Sequence, residues 1–171
     1  ANLKRRDFVT RNNAAKLPFK IIRHFATIFR EFLHDLLITL DHDATRVSLE
    51  ILGALAVYTD EQYFEIMCSN LIENAVRYGD PMMPVVVQAE QQMNDARQRG
   101  VCITVSNRPS TASWPDPDRV FAKYYRSLGA EAQSGTGLGL YLVRTLARLV
   151  GGDCVYAPDD KNIRFELWLP S

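Results

Sequence analysis

The sequence is poor in cysteine and has no long apolar run, and both features restrict the class of protein. Its three cysteines, Cys68, Cys102 and Cys154, are widely separated. They show neither the close spacing of a metal site nor the density of a disulfide framework, which favours a reducing compartment. No apolar run approaches the ~20 residues that a membrane span requires, and the sequence predicts no signal peptide.

The chain also lacks an excess of charge of either sign, with 20 basic and 20 acidic residues. General electrostatic attraction to nucleic acid is therefore not implied, and we expect no nucleic-acid partner. Internal repeats and low-complexity segments are absent as well. A chain of 171 residues, 47% of them apolar, is long enough for one domain with a hydrophobic core.

The spacing of apolar residues predicts helices and strands in a mixed order. The expected elements are a helix within 19–37, a strand at 47–51, a helix ending near 78, strands at 85–87 and 101–105, a short helix at 118–127, a helix after residue 138, and a closing hairpin of 153–156 and 163–169. Residues 54–58 are interpreted as the approach to the second helix, which Thr59 and Gln62 would start as a capping box. This layout predicts a helix layer on one face of a mixed sheet.

Three glycines, Gly135, Gly137 and Gly139, occupy every second position before the third long helix. A backbone without Cβ atoms adopts left-handed angles and approaches a ligand closely. The helix N-terminus that follows offers unpaired N–H groups and partial positive charge, which suit phosphate. The motif is neither a Walker loop nor a good dinucleotide fingerprint, because no Lys-Ser/Thr pair follows it and no buried strand precedes it. Taken alone, it also fits an ordinary structural turn.

The helix after these glycines has distinct apolar and basic faces. Leu138, Leu142, Leu146 and Leu149 recur at helical spacing on one face, and Arg144 and Arg148 lie on another. Gly151 and Gly152 follow and are expected to end this helix in the left-handed conformation.

Two asparagines, Asn70 and Asn74, are four residues apart in the second predicted helix and therefore share one face. Arg77 lies three residues further on, and Tyr78 follows at the helix end. An amide carbonyl is a neutral oxygen ligand for Mg²⁺, and an arginine one turn away neutralises phosphate oxygens. Without other residues, this pair also fits ordinary surface amides.

Together these motifs resemble the ATP-binding catalytic domain of sensor histidine kinases, a branch of the family that includes gyrase, Hsp90 and MutL. The resemblance rests on Asn-Leu-Ile-Glu-Asn-Ala-Val-Arg-Tyr at 70–78 and Gly-Thr-Gly-Leu-Gly-Leu at 135–140. It also rests on Phe-Ala-Lys-Tyr-Tyr-Arg at 121–126, which is similar to the aromatic box of the kinases. Asn70 favours the kinase branch, because gyrase and MutL have a catalytic glutamate there.

The resemblance covers residues 18–171 and implies an α+β fold of the Bergerat type. Such a fold is a two-layer α/β sandwich, with a mixed, mostly antiparallel sheet covered on one face by about three helices. Asn74 would coordinate Mg²⁺, Asn70 would place metal and phosphates for catalysis, Arg77 would contact phosphate, Tyr78 would pack near adenine, and Arg126 would lie near the reacting phosphate of ATP. Gly135, Thr136, Gly137, Leu138, Gly139 and Leu140 would form the phosphate loop.

The implied activity is transfer of the γ-phosphoryl group of ATP to a histidine on a separate helical dimerisation domain. From there the group would pass to an aspartate on the receiver domain of a response regulator. The full-length protein is then expected to be a homodimer, and residues 1–17 a linker or the tail of the helical domain. The fragment would be a cytoplasmic domain, and the resemblance leaves open whether the parent protein is anchored in the inner membrane. None of His24, His34 and His42 lies in a phosphoacceptor sequence.

One motif of that family is missing. The family has Asp-x-Gly-x-Gly after the strand before the aromatic box, and its aspartate accepts a hydrogen bond from the adenine amino group. Here the strand at 101–105 runs into Ser-Asn-Arg-Pro-Ser-Thr at 106–111. By position, Asn107 replaces the aspartate and faces adenine, with an ordinary strand-end turn residue as the alternative. A neutral acceptor in place of a charged one costs about 1 kcal/mol, roughly fivefold in affinity.

Two other functions stay open on the sequence alone. The missing motif is compatible with a relative that has lost catalysis and acts as a nucleotide sensor or a scaffold. A serine kinase of the anti-sigma type shares the fold and needs no helical dimerisation domain.

Overall fold

The computed structural model describes residues 20–22, 24–40, 46–110, 114–126 and 135–171. The elements are β1 (Lys20–Ile22), α1 (Phe25–Thr39), β2 (Val47–Leu52), β3 (Val57–Thr59), α2 (Glu61–Tyr78), β4 (Val85–Met93), β5 (Arg99–Asn107), α3 (Gly139–Leu149), β6 (Asp153–Tyr156) and β7 (Ile163–Pro170). The predictions for residues 1–17 and for His42 lie outside the described residues.

Five strands form one mixed sheet in the order β2-β4-β5-β7-β6. The β2–β4 pair is parallel, and the other three pairs are antiparallel. The alternation in β5 and β7 buries Val101, Ile103 and Val105 together with Leu167 and Leu169. The predicted closing hairpin is confirmed. The strand predicted at 85–87 extends to Met93, and residues 94–98 form the turn of a second hairpin with β5.

Helices α2 and α3 pack against this sheet, and α1 packs against α2 through aromatic rings. Phe25 and Phe29 of α1 contact Phe64 of α2 edge to face, with ring centroids 5.5 and 5.2 Å from that of Phe64. All three rings are buried. The helix layer and the mixed, mostly antiparallel sheet therefore confirm the predicted two-layer α+β architecture.

The start of α2 differs from the prediction. The N-cap is Asp60, whose side chain accepts hydrogen bonds from the backbone N–H groups of Gln62 and Tyr63 at 2.9 and 3.2 Å. Thr59 is instead the buried last residue of β3, which pairs with β1 in a small antiparallel sheet. Residues 57–59 are thus a strand, because pairing with a distant segment outweighs their position next to a helix.

Two further elements depart from the sequence patterns. The short helix expected at 118–127 is a succession of turns as far as the structure describes it, and Tyr124 takes a φ of 61°. That angle is incompatible with a helix, and the Tyr124 N–H donates instead to the carbonyl oxygen of Gly137, 3.0 Å away. In α3 the buried residues are Val143 and Ala147, whereas Leu142 and Leu149 of the leucine face are exposed.

Candidate functional site

One cavity lies between α2, the end of β5, the aromatic-box segment at 121–126 and the glycine turn at 135–139. Sequence-predicted residues that line it are Asn70, Asn74, Arg77, Tyr78, Asn107, Arg126, Gly135, Thr136, Gly137, Gly139 and Leu140. Of the predicted site residues, Leu138 does not line this cavity; it is the N-cap residue of α3. Segments far apart in the sequence therefore converge on a single pocket.

The α2 wall presents the amide oxygen of Asn70 to Gly139, at the start of α3. The Nδ2 group of Asn70 donates to the carbonyl oxygen of Ile66 at 2.7 Å, which fixes the orientation of the amide. Its Oδ1 atom lies 2.6 Å from the point where a Cβ atom on Gly139 would be. Helix α2 and the start of α3 approach so closely that a side chain at residue 139 would displace Asn70.

The glycine turn is open toward α2 and closed toward the aromatic box. A Cβ atom at Gly135 would lie 3.4 Å from Nη1 of Arg77 and 3.6 Å from the Tyr78 hydroxyl. Gly137 has a φ of 69°, and a Cβ atom there would lie 2.8 Å from the Tyr124 carbonyl carbon. A Cβ atom at residue 135 would thus make ordinary contacts with α2, whereas residue 137 must be glycine because of its positive φ and the close backbone of the box.

Helix α3 begins at Gly139, directly against the cavity. Within the described residues, no side chain makes a capping hydrogen bond at this N-terminus. Its first residues, Gly139 and Leu140, line the same cavity as Arg77 and Arg126, so the unpaired N–H groups and partial positive charge of the helix end lie at its border. This side of the cavity is therefore suited to an anion such as a phosphate group.

The aromatic box is anchored on both sides. The Tyr125 hydroxyl accepts a hydrogen bond from the backbone N–H of Asp116 at 2.8 Å. The Arg144 guanidinium of α3 stacks over the Phe121 ring, 4.6 Å from its centroid. Phe121 in turn packs edge to face on Phe165 of β7. The box is thereby tied to both α3 and the sheet.

The far side of the cavity combines apolar residues with one buried amide. Val120, Ile163 and Phe165 are buried there, as is Asn107 at the end of β5, with only 5% of its surface exposed. The Asn107 Nδ2 group donates to the carbonyl oxygen of Arg108 at 3.3 Å. An apolar compartment with one polar group is typical of a site for a flat heterocycle.

Several lining residues were not predicted from the sequence. They are Glu73, Ala75, Pro115, Tyr125, Val120, Ile163 and Phe165. Glu73 lies inside the asparagine motif and Tyr125 inside the aromatic box, so both were within recognised segments. The strand residues Ile163 and Phe165 carried only the alternation of a buried strand face, which does not reveal that they border a cavity.

The described part of the chain has neither a metal-binding cluster of His, Cys, Asp and Glu side chains nor a reactive thiol. There, no group of three or more His, Cys, Asp or Glu side chains is arranged to hold a metal ion. The three cysteines are free and buried, and burial raises the pKa of all three, that of Cys102 to about 11. They are therefore protonated, unreactive thiols at neutral pH.

Residues 59–171 match the family described as histidine kinase-, DNA gyrase B- and HSP90-like ATPase. The chain belongs to this family. The predicted recognition is therefore confirmed, and ATP is the nucleotide that the family name assigns to the domain. Within the part of the ATPase domain that the structure describes, none of the helices has the length and apolarity to cross a membrane.

Curated relatives of this ATPase domain are sensor proteins. Sensor protein IrlS of Burkholderia pseudomallei is 29% identical over 125 residues, which make up 72% of this chain and 26% of that protein. Sensor protein VanSC of Enterococcus gallinarum is 33% identical over 103 residues, 59% of this chain and 27% of that protein. The chain thus spans about a quarter of the length of these curated relatives.

Solved structures share the fold of the ATPase domain. The catalytic domain of histidine kinase ThkA superposes with a TM-score of 0.66 at 17% identity, covering 90% of this chain and 96% of that one. The mycobacterial sensor histidine kinase MprB gives a TM-score of 0.65 at 19% identity, covering 88% and 97%. At these identities the comparison establishes the fold, and it agrees with the predicted α/β sandwich.

Proposed function

We propose that this domain, as part of a sensor histidine kinase, binds Mg-ATP and provides the γ-phosphoryl group for a histidine on a separate helical domain. The observation that carries this proposal is the convergence of the amides of α2 and the glycine turn on one cavity. An anion-binding end and an apolar end in the same cavity match the triphosphate and the base of a nucleotide.

The phosphate groups are assigned to the turn formed by residues 135–140 and to the N-terminus of α3. The absence of Cβ atoms at Gly135 and Gly139 leaves the space next to Arg77, Tyr78 and Asn70 open. Thr136 lies in the turn and Leu140 in the first turn of α3, and both line the cavity. Arg126 borders the cavity from the aromatic box and is assigned to the reacting phosphate.

The magnesium ion is assigned to Asn74, with Asn70 as its neighbour one turn earlier. Both side chains line the cavity, and the described residues contain no acidic cluster that would hold the ion instead. Mg²⁺ is bound in nucleotide sites through one or two protein oxygen atoms, phosphates and water. When bound, the ion neutralises phosphate charge, while the residues of this chain orient the nucleotide.

The partners follow from the proposed reaction. A helical dimerisation domain carrying the acceptor histidine and the receiver domain of a response regulator are required for the complete transfer. The parent protein is proposed to be a homodimer with this domain in the cytoplasm, with or without an inner-membrane anchor. The catalytic domain is proposed to occupy residues 18–171, preceded by a linker or helical tail at 1–17.

Replacing the proposed magnesium ligand tests the assignment on this fragment. Asn74→Ala is expected to weaken ATP binding about tenfold or more when Mg²⁺ is present and far less when EDTA is present, because only the metal-bound nucleotide uses the amide. Isothermal titration calorimetry measures both affinities. Ser69→Ala is the control on the same helix, because Ser69 does not line the cavity and its hydroxyl donates to Ile66. Equal losses with and without the metal would contradict the ligand assignment.

Transfer itself is tested on the full-length protein. Incubation with Mg-ATP is expected to give acid-labile phosphohistidine. An acid-stable product would indicate a serine kinase, and binding without any phosphorylated product would indicate a nucleotide sensor. If the fragment shows no binding heat at millimolar Mg-ATP, the proposed function is wrong.

A further inference from the structure

The backbone that follows α2 is bonded to the segment that follows β5. Gly79, the C-cap residue of α2, has a φ of −77° and a ψ of 155°, so the chain leaves the helix in an extended conformation. The Ser110 N–H donates to the carbonyl oxygen of Tyr78 at 3.1 Å, and the Asp80 N–H donates to that of Arg108 at 2.8 Å. The residues on both sides of Gly79 are therefore held against this second segment.

Close contacts at Gly79 couple the two segments to the cavity. Gly79 forms an antiparallel bridge with Pro109. A Cβ atom at residue 79 would collide with the carbonyl oxygen of Ala75 and would lie 3.3 Å from Nδ2 of Asn107. Asn107 and Tyr78 both line the cavity. A shift of the backbone at residue 79 therefore displaces groups on two walls of the proposed nucleotide site.

Arg46, the residue before β2, is bonded to the same backbone. Its Nη2 atom donates to the carbonyl oxygens of Gly79 and Asp80, at 3.3 and 3.2 Å, in partly buried hydrogen bonds. Hydrogen bonds from an ionised donor are stronger than neutral ones, and a cation is favoured at the negative end of a helix. These bonds connect the start of an edge strand to the end of α2, 33 and 34 residues later in the chain.

We propose that Arg46 is a positioning residue of the nucleotide site. The inference rests on the proposed function and adds to it a residue that does not line the cavity. By holding the two carbonyl groups after α2, the guanidinium fixes the direction in which Arg77 and Tyr78 enter the cavity. Through the contacts of Gly79 it also fixes the place of Asn107. The resemblance to histidine kinases assigns these three side chains to phosphate and base, so both ends of the nucleotide depend on Arg46.

The expected effect differs from that of a residue that only stabilises α2 and from that of a metal ligand. Asp60 caps the other end of the helix, so its loss lowers stability and leaves the affinity of the folded protein unchanged. Asn74 is proposed to act only on the metal-bound nucleotide. Arg46 acts on groups that contact the nucleotide itself, so the loss of its hydrogen bonds weakens ATP binding equally with and without Mg²⁺.

The experiment measures ATP affinity of the 171-residue chain by calorimetry, once with Mg²⁺ and once with EDTA. Arg46→Met keeps the length of the side chain and removes its donors and its charge. It is expected to bind ATP about five- to tenfold more weakly than wild type in both conditions, because several binding groups are displaced together. Arg46→Lys keeps a cation with several N–H donors and should bind within about twofold of wild type. Asp60→Ala, with unchanged affinity, is the control for a loss of stability.

Hydrogen exchange locates the change within the molecule. In Arg46→Met, the Asp80 and Ser110 N–H groups are expected to exchange faster relative to the Phe64 N–H, which donates to the carbonyl oxygen of Asp60 at the start of α2. In Asp60→Ala the Phe64 N–H should be affected most. An equal increase at all three amides in Arg46→Met would indicate a general loss of stability and would overturn the positioning role.

The outcomes separate this inference from the function on which it rests. If wild type binds no ATP in either condition, both are wrong. If wild type binds ATP and Arg46→Met binds it equally well, the nucleotide site stands and the role of Arg46 is overturned. The same conclusion follows if Arg46→Lys binds as weakly as Arg46→Met. If Arg46→Met does not fold, Arg46→Gln, which keeps a neutral donor, replaces it. A loss of about two- to fivefold then supports the inference, and unchanged affinity overturns it.

Discussion

Gly137 and Gly53 both adopt a positive φ, of 69° and 87°, but their surroundings differ. A Cβ atom on Gly137 would lie within 2.9 Å of the Tyr124 and Tyr125 backbone. Apart from Gly53 itself and its two chain neighbours, no described residue has a heavy atom within 4 Å of a Cβ atom placed on Gly53. Substitutions at the two glycines therefore distinguish two effects. Both introduce the strain of a left-handed backbone angle, but only the one at Gly137 adds a steric clash at the site.

Gly137→Ala is expected to weaken ATP binding at least tenfold, because the turn must move away from the aromatic box and from the phosphate positions. Calorimetric titration with Mg-ATP measures the loss, and thermal unfolding monitors the fold. Gly53→Ala is the matched control. It is expected to lower the free energy of unfolding by about 1–2 kcal/mol through backbone strain and to leave the nucleotide affinity unchanged. Equal affinities for the two variants would show that the turn at 135–139 does not bind phosphate.

Asp153 provides a prediction about pH. Partial burial raises its pKa, but hydrogen bonds from Arg148, the Cys154 backbone N–H and Arg144 outweigh that effect and hold the pKa below its ordinary value. The Arg144 and Arg148 Nε atoms lie 3.2 and 3.0 Å from its Oδ1. Because the pKa is lower in the folded state, this carboxylate stabilises the fold above the unfolded pKa, near 3.9, and the contribution is lost as the pH falls through the folded value.

Asp153→Asn is therefore expected to reduce the free energy of unfolding at about pH 6, and its deficit relative to wild type should shrink toward about pH 3. Urea unfolding at a series of pH values measures this difference. The exposed Asp160→Asn in the neighbouring turn is the control. A deficit that stays constant down to the lowest pH would show that the arginine contacts of Asp153 do not stabilise the fold.

At the scale of elements, α2 is the helix on which the site depends, because it contributes both asparagines, Arg77 and Tyr78 to the cavity. Its N-terminus is fixed by Asp60, whose Oδ1 atom satisfies two of the N–H groups that a helix leaves unpaired. This cap is distant from the nucleotide site, so its removal affects stability rather than binding.

Asp60→Ala is expected to lower the free energy of unfolding by about 0.5–2 kcal/mol through loss of the cap. Asp60→Asn keeps an acceptor oxygen and should stay close to wild type. Chemical denaturation measures both variants, and ATP affinity of the folded protein should be unchanged in each. If the alanine variant is as stable as wild type, the cap contributes nothing to α2.

The described residues share a hydrophobic core that extends from α1 through α2 to the sheet. Phe29 is fully buried and its ring is 5.4 Å from that of Phe25 and 5.2 Å from that of Phe64. If residues 18–171 form one domain, loss of this ring should destabilise the protein as a unit, including the distant nucleotide site.

Phe29→Ala is expected to lower the free energy of unfolding by about 3–5 kcal/mol while the transition stays cooperative. Ile38→Ala, on the same helix but 66% exposed, should change it by less than about 0.5 kcal/mol. Circular dichroism and a nucleotide-site probe followed in the same denaturant titration measure the result. Two separate transitions would show that α1 is not part of the catalytic domain.

The sequence by itself determined the periodic elements and the chemical types at the site. Local spacing predicted helix α2 and the hairpin of β6 and β7, because side chains at fixed intervals share a face. The sequence also shows directly the order of the asparagine pair, the aromatic box and the glycines. Leucine spacing in α3 could not tell which face is buried. The helix packs against both α2 and β6, and Val143 and Ala147 are buried while Leu142 and Leu149 stay exposed.

Only the tertiary structure decided how distant segments meet. The strand β3 exists because β1 pairs with it, and the turns near Tyr124 exist because its N–H reaches Gly137. The orientation of Asn107 depends on the backbone of Arg108, whose carbonyl oxygen also accepts the N–H of Asp80, two residues after α2. Hydrogen bonds between residues far apart in the chain leave no periodic signal in the sequence. Local spacing therefore predicted which chemical groups form the site, and the tertiary contacts determined how their side chains are oriented.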